Sequence, residues 1–356
     1  MDDVRRVRWR WMAMVLAGCL ISGSAFGIVL HPGKGEPEVE NWIDRPADEV
    51  MGRWANNASC VAISPNCVIT TRHQGGGIGT VVRIAGASYK VEAIWAHPGR
   101  VNPLDANYRE VDLRIAKLGR ANLRHYAALF TGTGEVYKGK CAVIGGYGVG
   151  RGSELTKYGI TYGYAWDGAD SNSHFRWCTN SIDAVREDVK SSDPRNGSLN
   201  NHNLVIAAFD DPLTTPAEGA VAAYDSGGGW FVRVDDNWRL AGVTWGADRA
   251  QNMETLFRSS TSPTIASPDR MYALRISSYA DWIGDVLASV CAPGHSDLNG
   301  DCNVNMQDLA RLAAHWLRRD CSGSNNFCFG ADINGDGRVD AADLHGLKTD
   351  YTAQSN

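Results

Sequence analysis

The feature that most constrains this chain is a twelve-residue pattern that occurs twice near its C-terminus. Asp297-Leu-Asn299-Gly-Asp301-Cys-Asn303-Val-Asn305-Met-Gln-Asp308 returns as Asp332-Ile-Asn334-Gly-Asp336-Gly-Arg338-Val-Asp340-Ala-Ala-Asp343. Oxygen-bearing side chains stand at the first, third, fifth, ninth and twelfth places, and the seventh can offer its backbone carbonyl. Carboxylates packed this closely repel one another unless a hard cation sits among them, and calcium takes such a cage of oxygens. Two calcium ions are therefore expected. Asp297, Asn299, Asp301, Asn303, Asn305 and Asp308 would hold one, and Asp332, Asn334, Asp336, Arg338 (by its carbonyl), Asp340 and Asp343 the other. Each loop runs into a helical pattern; in the first, Leu309, Leu312, Ala313, Trp316 and Leu317 share a face.

The composition changes abruptly just before this pair. Cys291-Ala-Pro-Gly-His-Ser296 reads as a linker, which leaves a large unit upstream and a small one downstream. In the large unit, short Val- and Ile-rich runs are separated by turns: Cys60 to Ile63, Val68 to Thr71, Gly79 to Ile84, Tyr89 to Trp95 and Val111 to Lys117. A second set follows at Ala142 to Ile144, Leu204 to Phe209, Trp230 to Val234 and Arg239 to Thr244. Many short strands without intervening amphipathic helices predict an all-β barrel or sandwich. Residues 151–200, polar and glycine-rich, read as loop-heavy. One helix closes the region: Ile276, Tyr279, Ile283, Val286, Leu287 and Val290 recur at helical spacing, and Ser278-Tyr279-Ala280-Asp281 offers a capping-box-like start.

A net charge of −5 argues against a nucleic-acid partner held by a basic surface. The N-terminus reads as an export signal. Arg5, Arg6, Arg8 and Arg10 precede an apolar run from Trp11 to Ile21, and Ser24-Ala25-Phe26-Gly27 supplies small residues for cleavage after Gly27. The run is short for a membrane span, so no transmembrane helix is expected once it leaves. A competing reading is open, because Leu16-Ala17-Gly18-Cys19 resembles a bacterial lipobox that would lipidate Cys19. Both readings give a secreted or cell-envelope protein. Nine cysteines become eight when Cys19 departs, and an even count outside the cytoplasm favours disulfides. Cys60 and Cys67 flank the Ser64-Pro65-Asn66 turn and could staple a hairpin; Cys291, Cys302, Cys321 and Cys328 fall in the linker and the small unit.

Chemistry is concentrated in Tyr224-Asp225-Ser226-Gly227-Gly228-Gly229. A serine hydroxyl needs a base to take its proton, and backbone N–H groups aimed at a developing oxyanion explain glycines beside it. By itself such a string is as well read as a turn. Upstream, however, Cys67-Val-Ile-Thr-Thr-Arg-His73 is a β run ending on histidine, and Asp112 is expected inside an alternating strand, Val111 to Leu118. The order His, Asp, Ser is that of chymotrypsin and of neither subtilisin nor the α/β-hydrolases.

On these residues, 28 to about 289 resemble a chymotrypsin/trypsin-family serine protease. Thr70-Thr71-Arg72-His73 resembles the family's Thr-Ala-Ala-His, Asp225-Ser226-Gly227-Gly228 its Asp-Ser-Gly-Gly, and Val111-Asp112-Leu113 its aspartate strand. His97-Pro98-Gly99, Val243-Thr244-Trp245-Gly246 and the segment Arg275 to Ile283 resemble three further landmarks, in order. The resemblance implies an all-β double barrel with a C-terminal helix. It also implies Ser226 as nucleophile, His73 as general base and then acid, and Asp112 as the group that orients the imidazole. Tyr224 and Ser226 would supply the oxyanion N–H groups, with Tyr224 standing where the family has glycine; Gln74 replaces a usual cysteine. His97 is expected to serve the backbone. Ile28, freed by cleavage after Gly27, would pair its ammonium with Asp225. Ala220, Val221, Thr244, Trp245 and Gly246 would line the substrate pocket, and Ala220, where the trypsin subgroup carries aspartate, implies an apolar or small P1 residue; Asp248 lies nearby in sequence.

Residues 297 to 351 resemble a type I dockerin, a small helical module of two EF-hand-like loops with aspartate at the twelfth place. The resemblance implies calcium and a cohesin-type or cell-surface partner; a calcium-folded stabilising tail is the plainer reading. The expected organisation is a signal over 1–27, a protease domain over 28–289, a linker over 290–296 and a dockerin-like domain over 297–356. The expected function is an exported serine endopeptidase acting on protein or peptide. The alternative is a catalytically silent barrel, disabled at Tyr224, that binds.

Overall fold

The computed structural model describes residues 28–31, 44–56, 58–99, 110–132, 137–167, 174–192, 199–211, 215–290, 294–300 and 303–354. The segment expected to serve export, with Cys19 and Gly27, part of the expected linker with Cys291, and Asp301 and Cys302 of the first loop lie outside them. Among the described residues no helix is long and apolar enough to cross a membrane.

The first unit is a closed barrel of six strands: Met51–Trp54, Ala58–Ser64, Cys67–Thr71, Leu113–Leu118, Ala87–Ala96 and Val81–Ile84, in that spatial order. Alternation along the strands sorts their side chains to two faces. Cys60, Ala62, Val68, Ala116 and Leu118 fill the barrel with Trp54 and Val82. Val61, Ile63, Cys67, Ile69, Leu113 and Ile115 point the other way and pack with Val143, Trp177, Phe231, Val243 and Leu274 of the second unit. A continuous apolar seam therefore joins the two.

The second unit is an antiparallel sheet running Arg176–Ser181, Cys141–Gly146, Gly229–Val234, Asn237–Ala247, Arg270–Arg275, Leu199–Ala208 and Ala184–Ser192, with Ala128–Leu129 paired parallel to Asn237–Ala247. Among the described residues its path is not closed by a ladder. Asn180 Nδ2 donates to Ala208 O (2.8 Å), so a side-chain bond draws the Arg176–Ser181 end toward Leu199–Ala208. Residues 151–200, expected as loop-heavy, are mostly strand: Arg151–Lys157 and Ile160–Trp166 form a hairpin extended by Glu254–Leu256, and two strands of the main sheet follow. The polar composition reflects exposure of the hairpin's outer face.

The helix Ala280–Ser289 covers the seam with Ile283 and Val286. Its expected capping box is absent: Tyr279 is the cap residue and makes no side-chain cap bond, while Ser278 Oγ accepts from Arg275 Nε (2.7 Å). The hairpin staple is also absent. Cys60 and Cys67 are buried free thiols, because Ser64 stands opposite Cys67 and Cys60 faces the barrel interior. In the small unit Cys321 and Cys328 form a disulfide. Its helix Met306–Ala314 stops short of Trp316 and Leu317, which are exposed and so do not continue the buried face.

Candidate functional site

Register brings the first two residues together. Thr71 pairs with Leu113, so the residues beyond one end of that ladder, His73 and Asp112, meet at the same edge of the barrel. Asp112, expected inside the strand, lies just before it. Ser226 comes from the turn preceding Gly229–Val234, across the seam. That turn is fastened to the barrel by Ser59 N donating to Ser226 O (3.0 Å), and to its own sheet by Gly227 N donating to Thr244 O (2.9 Å). The result is a chain of contacts: Ser226 Oγ to His73 Nε2 at 2.8 Å, and His73 Nδ1 to Asp112 Oδ2 at 2.5 Å. Asp112 Oδ1 is occupied separately by the backbone N–H groups of Arg72 (2.7 Å) and His73 (2.8 Å).

Burial pushes the Asp112 carboxyl up, but the hydrogen bonds and charge of His73 outweigh it and hold the group below its ordinary value. An ionised carboxylate only accepts, so the proton of a neutral His73 sits on Nδ1 and the Nε2 lone pair faces the serine hydroxyl. His97 accepts from Gly99 N at Nδ1 (3.0 Å) and packs on Tyr279 and Trp282, which is the backbone service expected of it. Burial, with Arg72 adding, pushes its imidazole down to about 4.

His202 was not anticipated. It is wholly buried, neither ring nitrogen has a hydrogen-bond partner among the described residues, and its ring meets Trp245 edge to face at 4.8 Å. Burial pushes it down to about 4, with the Asp112 charge opposing and His73 adding. A histidine in a strand carries no sequence signal of this proximity.

Around the serine, Tyr224 takes φ 72° and half-exposes its ring. This is the left-handed geometry that glycine adopts without cost. Among the described residues neither the Tyr224 nor the Ser226 N–H is paired with a protein acceptor. Asp225 is fully buried and accepts from Gly148 N (2.7 Å), Ala222 N (2.8 Å) and the Ile28 N–H. A Cβ at Gly146 or Gly148 would collide with its carboxylate, which explains the glycines of that loop. Burial pushes the Asp225 carboxyl up to about 7 against those three N–H groups and the Arg176 charge. Ile28 thus sits against Asp225 through its peptide N–H, wholly buried.

Of the residues expected to line a pocket, Ala220 and Val221 pack in the core of the second sheet, and Ala220 pairs with Val29. Thr244 is buried and accepts from Trp230 Nε1 (3.0 Å), while Trp245 and Gly246 are partly open. Asp248 is already engaged by Tyr272 OH (2.9 Å) and Arg270 N (3.0 Å).

In the small unit, Asp297, Asp308, Asp332 and Asp343 are completely buried, at the first and twelfth places of the two loops. Asp308 accepts from Asn299 N and Asn305 N, and Asp343 from Asn334 N and Asp340 N, so each folds its loop back on itself. Two buried carboxylates per loop fit a cation between them and are costly without one. Among the described residues no three acidic side chains of a loop converge, so a calcium cage there would need amide and carbonyl oxygens too, as calcium permits. Asp320 lies with Cys321 and Cys328, but those sulfurs are spent in the disulfide.

Residues 295–350 match the family model of the dockerin type I domain. No curated protein matches the chain. Two of the solved structures it is similar to are neuropsin, a serine protease expressed in the limbic system of mouse brain, and the Rv3671c protease in an inactive form. The first is 15% identical with a TM-score of 0.42, covering 68% of this chain and 95% of that one. The second is 13% identical with a TM-score of 0.39, covering 67% and 89%.

Proposed function

We propose that the chain is an exported serine endopeptidase carrying a calcium-binding dockerin-type attachment module. The observation that carries the reading is the unbroken hydrogen-bond chain from Ser226 Oγ through His73 to Asp112. In it, Ser226 Oγ attacks a peptide carbonyl while His73 Nε2 takes its proton. Asp112 holds the tautomer and stabilises the imidazolium, and His73 then returns the proton to the leaving amine. The N–H groups of Tyr224 and Ser226 stabilise the oxyanion; one such donor is worth about 100- to 1,000-fold in turnover in the serine peptidases. The uncharged Ala220 and the engaged Asp248 favour an apolar or small P1 residue.

Two calcium ions, held by the loops at 297–308 and 332–343, fold the module, and a cohesin-type partner is its proposed anchor. The silent-barrel alternative rested on Tyr224 resisting the oxyanion geometry, and its φ of 72° weakens that objection. A biotinylated fluorophosphonate applied to the processed protein separates the two. Labelling that disappears in Ser226→Ala supports the peptidase, and an unlabelled wild type would sink it.

A further inference from the structure

We propose that the small unit is clamped to the first barrel through residues 119–126, and that calcium in its loops keeps the clamp closed. The inference rests on the calcium reading above and goes beyond attachment. The module then acts as a brace on the barrel that bears His73 and Asp112.

Asn122 is buried and serves the first loop and the segment between the two loops. Its Nδ2 donates to Gly294 O (2.9 Å) and Asp297 O (3.0 Å), and its own carbonyl accepts from Asn326 Nδ2 (2.8 Å). Arg124 N donates to Asn326 Oδ1 (3.2 Å), and its guanidinium donates to Ile333 O (2.9 Å) and Gly330 O (3.2 Å) while lying over the Phe327 ring. Asp297 is the first residue of one loop and Ile333 the second of the other, so the clamp grips backbone carbonyls that the loops present only when folded. Left unpaired, such buried groups are costly, which makes the docking specific.

The contact is close elsewhere too. Gly86, at φ 72° in the turn between Val81–Ile84 and Ala87–Ala96, faces the Ser324 carbonyl so nearly that any Cβ there would overlap it. On the barrel side, Ala121 and Leu123 belong to the barrel core, and the segment continues directly from Leu113–Leu118, whose leading neighbour is Asp112. The module keeps a separate core of Leu298, Val304, Leu312, Val339 and Leu347. The joint is therefore made of polar contacts and not of a shared apolar core, which is what a ligand-controlled clamp needs. If calcium favours the docked state, docking must favour calcium by the same factor.

The test uses the full chain in a Ser226→Ala background, which prevents self-cleavage. Gly86→Asn wedges the joint while tolerating positive φ, and Asn122→Ala removes the shared donor. Calcium is titrated into chelator-stripped protein by calorimetry, and barrel melting is followed with and without calcium. Both variants should bind calcium about tenfold more weakly, and the calcium-induced rise in barrel melting should shrink. Parental affinity in Gly86→Asn, with a barrel that melts identically with and without calcium, overturns the clamp. A flat titration of the parent chain overturns the calcium reading and the clamp with it.

Discussion

Tyr224 shows how much one backbone angle can decide. An L-residue in the left-handed region costs about 1–2 kcal/mol, yet the chain holds Tyr224 at φ 72° while the Ser226 turn is pinned to Ser59 and Thr244. Relieving it with Tyr224→Gly should stabilise the protein by about 0.5–1 kcal/mol, since glycine's added chain entropy offsets part of the gain. The check is the urea midpoint, which should rise with the proposed peptidase turnover preserved. Asp225 gives a pH prediction. Its folded value, about 7, lies above the ordinary 3.8 while Ile28 offers an amide N–H. That part of the stability is present below about pH 4 and lost as pH rises through 7. An ammonium at Ile28 reverses the penalty by pairing with the carboxylate. A form beginning at Ile28 should therefore melt higher than one retaining Gly27 at pH 7 to 8, and the gap should close toward pH 4. Equal melting at both pH values would count against the pair.

At the scale of elements, the barrel strands were legible because their alternation is strict: residues 61, 63, 67 and 69 face the seam and 60, 62 and 68 the barrel. The hairpin Arg151–Lys157 and Ile160–Trp166 was not, because one face is solvated and its glycines mimic loop punctuation. The helix after the first calcium loop was placed, but its end was not, since Trp316 and Leu317 continue the apolar spacing without continuing the helix. The loops themselves were read from side-chain spacing alone. What spacing could not give is the double duty of Asp308, whose carboxylate also caps the helix through Asn305 N (2.8 Å). Asp332 accepts from the N–H groups of Gly335, Asp336 and Gly337. Removing it should abolish the second site. Asp332→Ala should lower the calcium stoichiometry from two to one by calorimetry, and an unchanged stoichiometry would contradict the assignment.

For the whole molecule, the order His73, Asp112, Ser226 was visible in sequence, but their meeting depends on the seam. Ile69 and Leu113 from the barrel pack with Phe231 and Val243 from the sheet, and that packing sets the distance across which His73 reaches Ser226. Long-range contacts without local pattern stayed hidden: His202 behind Trp245, and the Asn122 and Arg124 joint some two hundred residues from its partners in the chain. The central claim is that three side chains work as one unit, and groups that do so are not additive when removed. The measurement is hydrolysis of unfolded casein by wild type, His73→Ala, Ser226→Ala and the double variant. Each single loss should be on the order of 10⁶-fold in turnover, and the double variant no slower than Ser226→Ala. Losses that multiply, or a His73→Ala protein as fast as wild type, would contradict the account.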